Sequence, residues 1–274
     1  MTIDIAAPFS PEGRQGESPP PFPLAGPRPQ GGARRPMASS AARIVGASTR
    51  HRTVEWIGGA TVGTDVAASA IGAAGDVGSG DWADIIARPH GGASCSIMIG
   101  DAMGSGASAA PSGRLLRLSA RAFLECSHHA APMITALDRL VARWDDTIAT
   151  CLSVDIGPGQ VVAHSAGHPP PLIIDDRGVA QLLRVPTAGP LGLGAPCAAA
   201  AYAHIAPGTT VVMYTDGLVQ RRRLPIDDGL SWLLAASGGM HALPVEVVAH
   251  QLLQQSVELS PAEDDITVVA ARVR

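Results

Sequence analysis

The chain has 274 residues, a length typical of one sizeable domain or two small ones. Its formal net charge of −4 excludes the strongly basic surface of a nucleic-acid-binding protein. Hydrophobic residues make up 46% and aromatic residues only 3%, which predicts a core of Ala, Val, Leu and Ile. No lysine is present, and this excludes both a lysine-containing phosphate-binding loop and Schiff-base chemistry.

Residues 1 to 50 are rich in Pro, Gly, Ser and Arg, and such a segment buries too little apolar surface to offset its ordering entropy. We therefore expect a disordered tail over 1–50 and a folded domain over 51–274. We identify no signal peptide, no apolar run of membrane-spanning length and no zinc-binding spacing among the four cysteines. These features predict a cytoplasmic protein with neither a membrane nor a nucleic-acid partner.

Short apolar runs separated by Gly and Pro clusters predict β-strands in the second segment. In chain order, the predicted strands cover residues 53–57, 94–100, 148–156, 160–166, 209–214 and 266–273. Apolar residues at three- and four-residue steps predict helices over 115–124, 133–141 and 245–253. Helices grouped between runs of short strands indicate a layered α+β domain rather than a doubly wound parallel sheet.

Aspartates recur where these apolar runs end and within glycine-containing turns. Two lie in the turn-like segment 80–84, two directly follow strand-like runs, and two precede the last strand: Asp81, Asp84, Asp101, Asp216, Asp264 and Asp265. Several strand ends can present their side chains to one point, and carboxylate oxygens are ligands that hard divalent cations prefer. Crowded carboxylates would repel one another, and two cations roughly 3.5–4 Å apart would relieve this repulsion.

The order of these motifs resembles that of the type 2C, or PPM, protein phosphatases, in the bacterial branch of RsbU and SpoIIE. The matching motifs lie at residues 80–84, 99–106, 166–172, 189–193, 214–218 and 264–269. The resemblance covers about residues 52 to 274. It implies an αββα fold, in which α-helices flank a sandwich of two antiparallel β-sheets, and a site for two Mn²⁺ or Mg²⁺ ions.

The resemblance also implies the roles of individual residues. The cations would be bound by Asp81, Asp101, the Ala102 carbonyl, Asp216 and Asp264, with Asp101 between the two ions. Asp265 is the alternative ligand if the register shifts by one residue. Asp84 is expected behind the ligands or as an occasional ligand, and Gly217 and His168 are expected close to them. For His168 a structural role and a role as the acid that protonates the leaving group both stay open.

The reaction implied is direct attack of a metal-activated water on phosphoserine or phosphothreonine. The branch implies a phosphorylated STAS-domain anti-sigma-factor antagonist as the substrate. Several features depart from the family pattern, and two of them bear on the structure. Pro111 and Gly113 predict that the helix after the second motif is interrupted or starts late. The arginine that binds phosphate is not evident, with Arg43 and Arg50 as candidates.

The sequence allows two other interpretations. The segment around Ser165 resembles the nucleophile elbow of an esterase, but an elbow leads into a helix, and here three prolines follow. The second alternative is a phosphatase-like binding module that is weakly active or inactive. The retained set of aspartates argues against it.

Overall fold

In the computed structural model of the chain, the described residues are 42–43, 47–48, 51–61, 64–71, 80–88, 95–103, 109–144, 147–194, 199–220, 225–259 and 264–274. For 42–61 and 187–188 the description covers the backbone alone. Most of the predicted tail, including Arg50, lies outside these residues, as do the side chain of Arg43 and the part of the second motif that follows Met103. The prediction of a disordered tail stays a prediction.

The described residues form fifteen β-strands and four α-helices. The strands are β1 Ala42–Arg43, β2 Ala47–Ser48, β3 His51–Thr61, β4 Thr64–Ile71, β5 Asp81–Ala87, β6 Cys95–Met103, β7 Ile148–Ala149, β8 Cys151–Gly157, β9 Gln160–Ala166, β10 Leu172–Ile174, β11 Ala180–Leu182, β12 Thr187–Ala188, β13 Ala201–His204, β14 Thr210–Tyr214 and β15 Ile266–Val273. The helices are α1 Ala109–Ser127, α2 Ala130–Val141, α3 Ile226–Ser237 and α4 Val245–Leu259. None of the helices in these ranges is long and apolar enough to cross a membrane.

The strands form two sheets. The first has the order β1-β3-β4-β15-β14-β10-β11, with β2 paired to β3. The second has the order β12-β9-β8-β6-β5, with β13 paired to β9 and β7 paired to β6. All described pairs are antiparallel except β12 with β9.

Three apolar clusters define the layers. One lies between the sheets and contains Ile97, Ile99 and Val154 of the second sheet with Val211 and Val269 of the first. A second lies between the second sheet and helices α1 and α2, and the third lies between the first sheet and helices α3 and α4. The predicted αββα sandwich is therefore confirmed, and it explains why central strands such as β15 are apolar on both faces.

Several elements differ from the sequence prediction. Strands β9 and β15 have the predicted bounds, but β4, β5 and helix α3 were not predicted. The segment with Asp81 and Asp84 is a strand rather than a turn, and β6 continues past Asp101 to Met103. The expected ends of strands are therefore wrong here, because pairing between β5 and β6 extends both strands through their acidic residues.

The expectation that helix α1 is interrupted or starts late is also wrong, because the helix begins before Pro111 and runs unbroken through Gly113. Pro111 lies in its first turn, where a missing backbone N–H removes no helical hydrogen bond. Gly113 lies where a Cβ atom would stand 2.5 Å from the Gly80 carbonyl oxygen. The absence of a side chain at Gly113 therefore allows helix α1 to pack directly against the start of β5.

Candidate active site

Two carboxylates face each other at one end of the second sheet. Strands β5 and β6 are paired so that Asp81 lies directly opposite Asp101. Ala83 and Ile85, which alternate with Asp81 along β5, pack against the cluster between the sheets. Asp81 and Asp101 therefore point toward the first sheet, and two like charges at directly opposed positions destabilise the pair of strands.

The first sheet brings further carboxylates to the same end. Asp216 follows β14, and Asp264 and Asp265 precede the antiparallel neighbour β15. A hydrogen bond between the sheets joins the two groups, since the Thr215 hydroxyl donates to Asp81 Oδ2 at 2.8 Å. The Thr215 Oγ1 in turn accepts the Thr267 N–H at 2.9 Å. The gap between the two sheets thus holds acidic side chains from both.

The electrostatics of this group show that the carboxylates affect one another. Burial raises the pKa of Asp101 to about 7, together with the charges of Asp216, Asp264 and Asp265. Burial, followed by the charge of Asp101, raises the pKa of Asp81 well above its usual range, although hydrogen bonds from Thr215 and Thr267 oppose the shift. Burial and the charge of Asp264 likewise raise the pKa of Asp216.

Glycines allow the close approach of these elements. A Cβ atom on Gly80 would stand 2.5 Å from the Ala102 carbonyl oxygen and 2.7 Å from Asp101 Oδ1. The Ala102 N–H donates to the Gly80 carbonyl at 3.1 Å. A Cβ on Gly217 would collide with the Asp265 carbonyl oxygen. Any larger residue at these two glycines would force the carboxylate-bearing segments apart.

The donor set has the chemistry of a site for hard divalent cations. It consists of carboxylate oxygens whose mutual repulsion a cation would relieve. Within the ranges that the structure describes, no three carboxylate, imidazole or thiolate groups stand close enough to hold a single ion. Any cation bound between these carboxylates would therefore complete its coordination shell with water or backbone oxygen, as Mg²⁺ commonly does.

Asp84 is not brought to this group of carboxylates. It lies on the opposite face of β5, among residues that face helix α1, and its Oδ1 pairs with Arg121 Nη1 at 2.8 Å. Its side chain is 6% exposed and that of Arg121 is 38% exposed. The structure therefore does not bring Asp84 to the expected place behind or among the ligands, because two residues three positions apart on a strand point to opposite faces.

Replacing Asp84 by Asn is accordingly expected to lower the stability of the fold and leave Mn²⁺ binding unchanged. Loss of one charge from this pair of a buried carboxylate and a partly exposed arginine would lower the free energy of unfolding by about 1 kcal/mol. Urea unfolding and titration with Mn²⁺ measure the two effects separately. A loss of Mn²⁺ affinity at constant stability would return Asp84 to the site.

His168 is buried and has a partner at each ring nitrogen. Nδ1 lies 2.8 Å from Thr150 Oγ1, and Nε2 lies 3.1 Å from the Tyr214 carbonyl oxygen. Burial lowers the pKa of His168 to about 3, so the ring is neutral near pH 7. Ser165 is also buried, and its Oγ bonds the backbone of His168. Since no helix directly follows Ser165, the esterase alternative has no support.

The sequence did not indicate the contacts of three residues that this geometry depends on. Thr150 contacts the backbone of Asp101, and Thr215 orients Asp81. Gly80 permits the close approach of the start of β5 to Asp101 and Ala102. The only signal for Thr215 was its place immediately before Asp216. No signal in the sequence linked Thr150 to Asp101, because the two residues meet only when β6 pairs with β7 and β8, on either side of Thr150.

The sequence matches a protein-family model, and the structure is similar to solved structures. The family model described as Stage II sporulation protein E (SpoIIE) matches residues 91–274. The structure is similar to the RsbU and RsbW domains of a Mycobacterium tuberculosis protein, with 27% identity, a TM-score of 0.67, and coverage of 77% of this chain and 60% of that one. The chain thus spans less than two thirds of that relative.

Two more distant structures share the fold. The phosphatase domain and regulatory fragment of Bacillus subtilis SpoIIE is 15% identical, with a TM-score of 0.61 over 85% of this chain and 81% of that chain. The catalytic domain of the serine/threonine phosphatase PstP, in complex with two manganese ions, is 14% identical, with a TM-score of 0.56 over 77% and 98% of the respective chains. With the family model matching most of the chain, this protein belongs to the SpoIIE family of PPM-type phosphatases.

Proposed function

We propose that this protein is a metal-dependent phosphatase that hydrolyses phosphoserine or phosphothreonine in a protein substrate. The observation that carries the proposal is the convergence of Asp81, Asp101 and Asp216 at one end of the sandwich, with their pKa values raised. A group of carboxylates that destabilises the folded protein has a direct use in binding cations. Perturbed carboxylates of this kind are typical of functional sites.

Two Mn²⁺ or Mg²⁺ ions fit this donor set. The residues proposed to hold them are Asp81, Asp101, Asp216, Asp264 and the Ala102 carbonyl, with Asp265 as the alternative to Asp264. The PstP structure with two manganese ions supports this proposal through the shared fold. When bound, the ions would supply positive charge for the phosphoryl oxygens and lower the pKa of a water molecule.

Hydrogen bonds within the chain orient Asp81, and they also make His168 unsuitable as the acid that protonates the leaving group. Thr215 donates to Asp81, so the carboxylate keeps one orientation. His168 is unsuited to protonating the leaving group, because its ring is neutral and both nitrogens are engaged. We therefore assign protonation of the leaving serine or threonine oxygen to water.

The proposed substrate is a phosphorylated STAS-domain anti-sigma-factor antagonist in the cytoplasm. The support is the similarity to a structure that contains RsbU and RsbW domains, together with the branch to which the motifs belong. Dephosphorylation would free the antagonist to bind an anti-sigma kinase. A phosphoserine-bearing STAS domain should lose its phosphate faster than an unrelated phosphopeptide at equal concentration, as measured by phosphate release.

Hydrolysis of p-nitrophenyl phosphate by the purified full chain tests the proposed activity. We expect release of p-nitrophenol in the presence of Mn²⁺ and none after treatment with EDTA, with activity restored by excess Mn²⁺. The chelated enzyme is its own control, since the same molecule is measured in both states. Absence of hydrolysis and of Mn²⁺ binding would favour the alternative of a phosphatase-like binding module.

A further inference from the structure

A chain of hydrogen bonds connects the two sheets beneath the carboxylates. The Asp101 N–H donates to Thr150 Oγ1 at 3.2 Å, and Thr150 Oγ1 lies 2.8 Å from His168 Nδ1. His168 Nε2 then reaches the Tyr214 carbonyl oxygen of the first sheet at 3.1 Å. One buried imidazole therefore joins the backbone beside Asp101 to the strand that leads into Asp216.

The direction of each hydrogen bond in this chain is determined by its chemistry. A carbonyl oxygen only accepts, so the single proton of the neutral ring is on Nε2. Nδ1 must then accept from the Thr150 hydroxyl, which leaves Thr150 Oγ1 to accept the Asp101 N–H. Every donor meets an acceptor, so the chain has one arrangement.

One end of this chain contacts Asp101 directly, and the other end reaches the residue that precedes Thr215. At one end, the Thr150 N–H also donates to the Asp101 carbonyl at 2.8 Å, so Thr150 holds Asp101 on both sides. At the other end, Tyr214 is followed by Thr215, which bonds Asp81 Oδ2. The His168 ring thus connects Thr150, which holds Asp101, to Tyr214, the residue before Thr215.

The backbone around His168 is itself held in place. Ser165 Oγ accepts the His168 N–H at 3.2 Å and donates to the His168 carbonyl at 3.1 Å. Gly167 has a φ of +64°, and a Cβ atom there would stand 2.9 Å from Pro190. With His168 only 5% exposed, the ring has little freedom to move.

We propose that His168, acting through Thr150, is a positioning residue that sets the separation of the acidic residues on the two sheets and thereby the affinity for divalent cations. This inference rests on the proposed function. A purely structural role would lower stability alone. A positioning role lowers cation affinity beyond what the loss of stability explains.

Thr150→Val tests the proposal with little change in shape, because valine replaces the hydroxyl by a methyl group. Thr210→Val is the matched control: Thr210 is a buried threonine whose hydroxyl accepts from Arg272 Nε, and it lies about 13 Å along β14 from Tyr214, away from the acidic group. Free Mn²⁺ is measured by electron paramagnetic resonance during titration of each purified protein, and thermal unfolding is followed in EDTA.

We expect Thr150→Val to weaken Mn²⁺ binding by about 10- to 100-fold, as for other residues that orient metal ligands, and Thr210→Val to bind like the wild type. His168→Gln keeps one donor and one acceptor, so it should bind Mn²⁺ more tightly than His168→Leu. Equal Mn²⁺ affinity of Thr150→Val and the wild type, when both are folded, would overturn the positioning role alone. A wild type that binds no Mn²⁺ would overturn the proposed function itself.

Discussion

Asp101→Asn is expected to lower Mn²⁺-dependent hydrolysis of p-nitrophenyl phosphate by roughly a thousandfold, since a neutral amide supplies neither the charge nor the oxygen pair that a divalent cation requires. Asp101 is the carboxylate that three others on the facing sheet influence, namely Asp216, Asp264 and Asp265. Its loss should therefore affect the site more than the loss of any peripheral acid. Initial rates at saturating Mn²⁺ measure the effect.

Asp65→Asn is the matched control for this prediction. Asp65 lies on β4 opposite Arg272, at the end of the first sheet away from the acidic group, and it pairs with Arg274. The same change in charge and shape there should leave the rate unaltered. Asp216→Asn should resemble Asp101→Asn, and full activity in either of these two variants would contradict the assignment of ligands.

The second large effect concerns stability in the absence of metal. Asp101 has a pKa of about 7 in the folded protein, against an ordinary value of 3.8. Between these two pH values the folded protein keeps a proton that the unfolded chain has released, so stability falls as the pH rises from about 4 to 7. The raised pKa values of Asp81 and Asp216 act in the same direction.

Asp101→Asn is accordingly expected to stabilise the metal-free protein at pH 8 by roughly 1–4 kcal/mol, and to have little effect at pH 4. Urea unfolding in EDTA at both pH values measures this, and the difference between variant and wild type isolates Asp101 from other titrating groups. Saturating Mn²⁺ should stabilise the wild type and reverse the order at pH 8. A difference that does not grow with pH would contradict the burial of a charged Asp101 among like charges.

These two predictions describe one property of the molecule. The carboxylates that destabilise the metal-free fold are the same ones that are proposed to bind the cations, which is the usual conflict between stability and function at an active site. Buried hydrogen bonds oppose the repulsion between these carboxylates at Asp81 and at the contact between the two sheets. Thr215 stabilises the charged form of Asp81, and the bonds through Thr150 and His168 hold the two sheets together beneath it.

The sequence alone determined the elements whose signal is local. Strands β9 and β15 alternate or run apolar over their whole length and are bounded by turn residues, and helix α4 starts after Pro244 with a regular apolar repeat. Motif order was also local information, and it was sufficient for the resemblance to PPM phosphatases and for the αββα fold. The acidic residues were evident in the same way, because each stands beside an apolar run or within a glycine-containing turn.

Only the tertiary structure decided which acidic residues meet. Asp81 and Asp84 look equivalent in one short segment, yet pairing of β5 with β6 directs Asp81 toward the facing sheet and Asp84 toward Arg121. Gly113 gave a similar ambiguity, since it predicts a break in a helix but in fact lies where helix α1 contacts the backbone of Gly80. The sheet face to which a side chain points, the close approach of two backbones and the hydrogen bonds of His168 all depend on residues far apart in the chain. Spacing along the sequence carries no information about them.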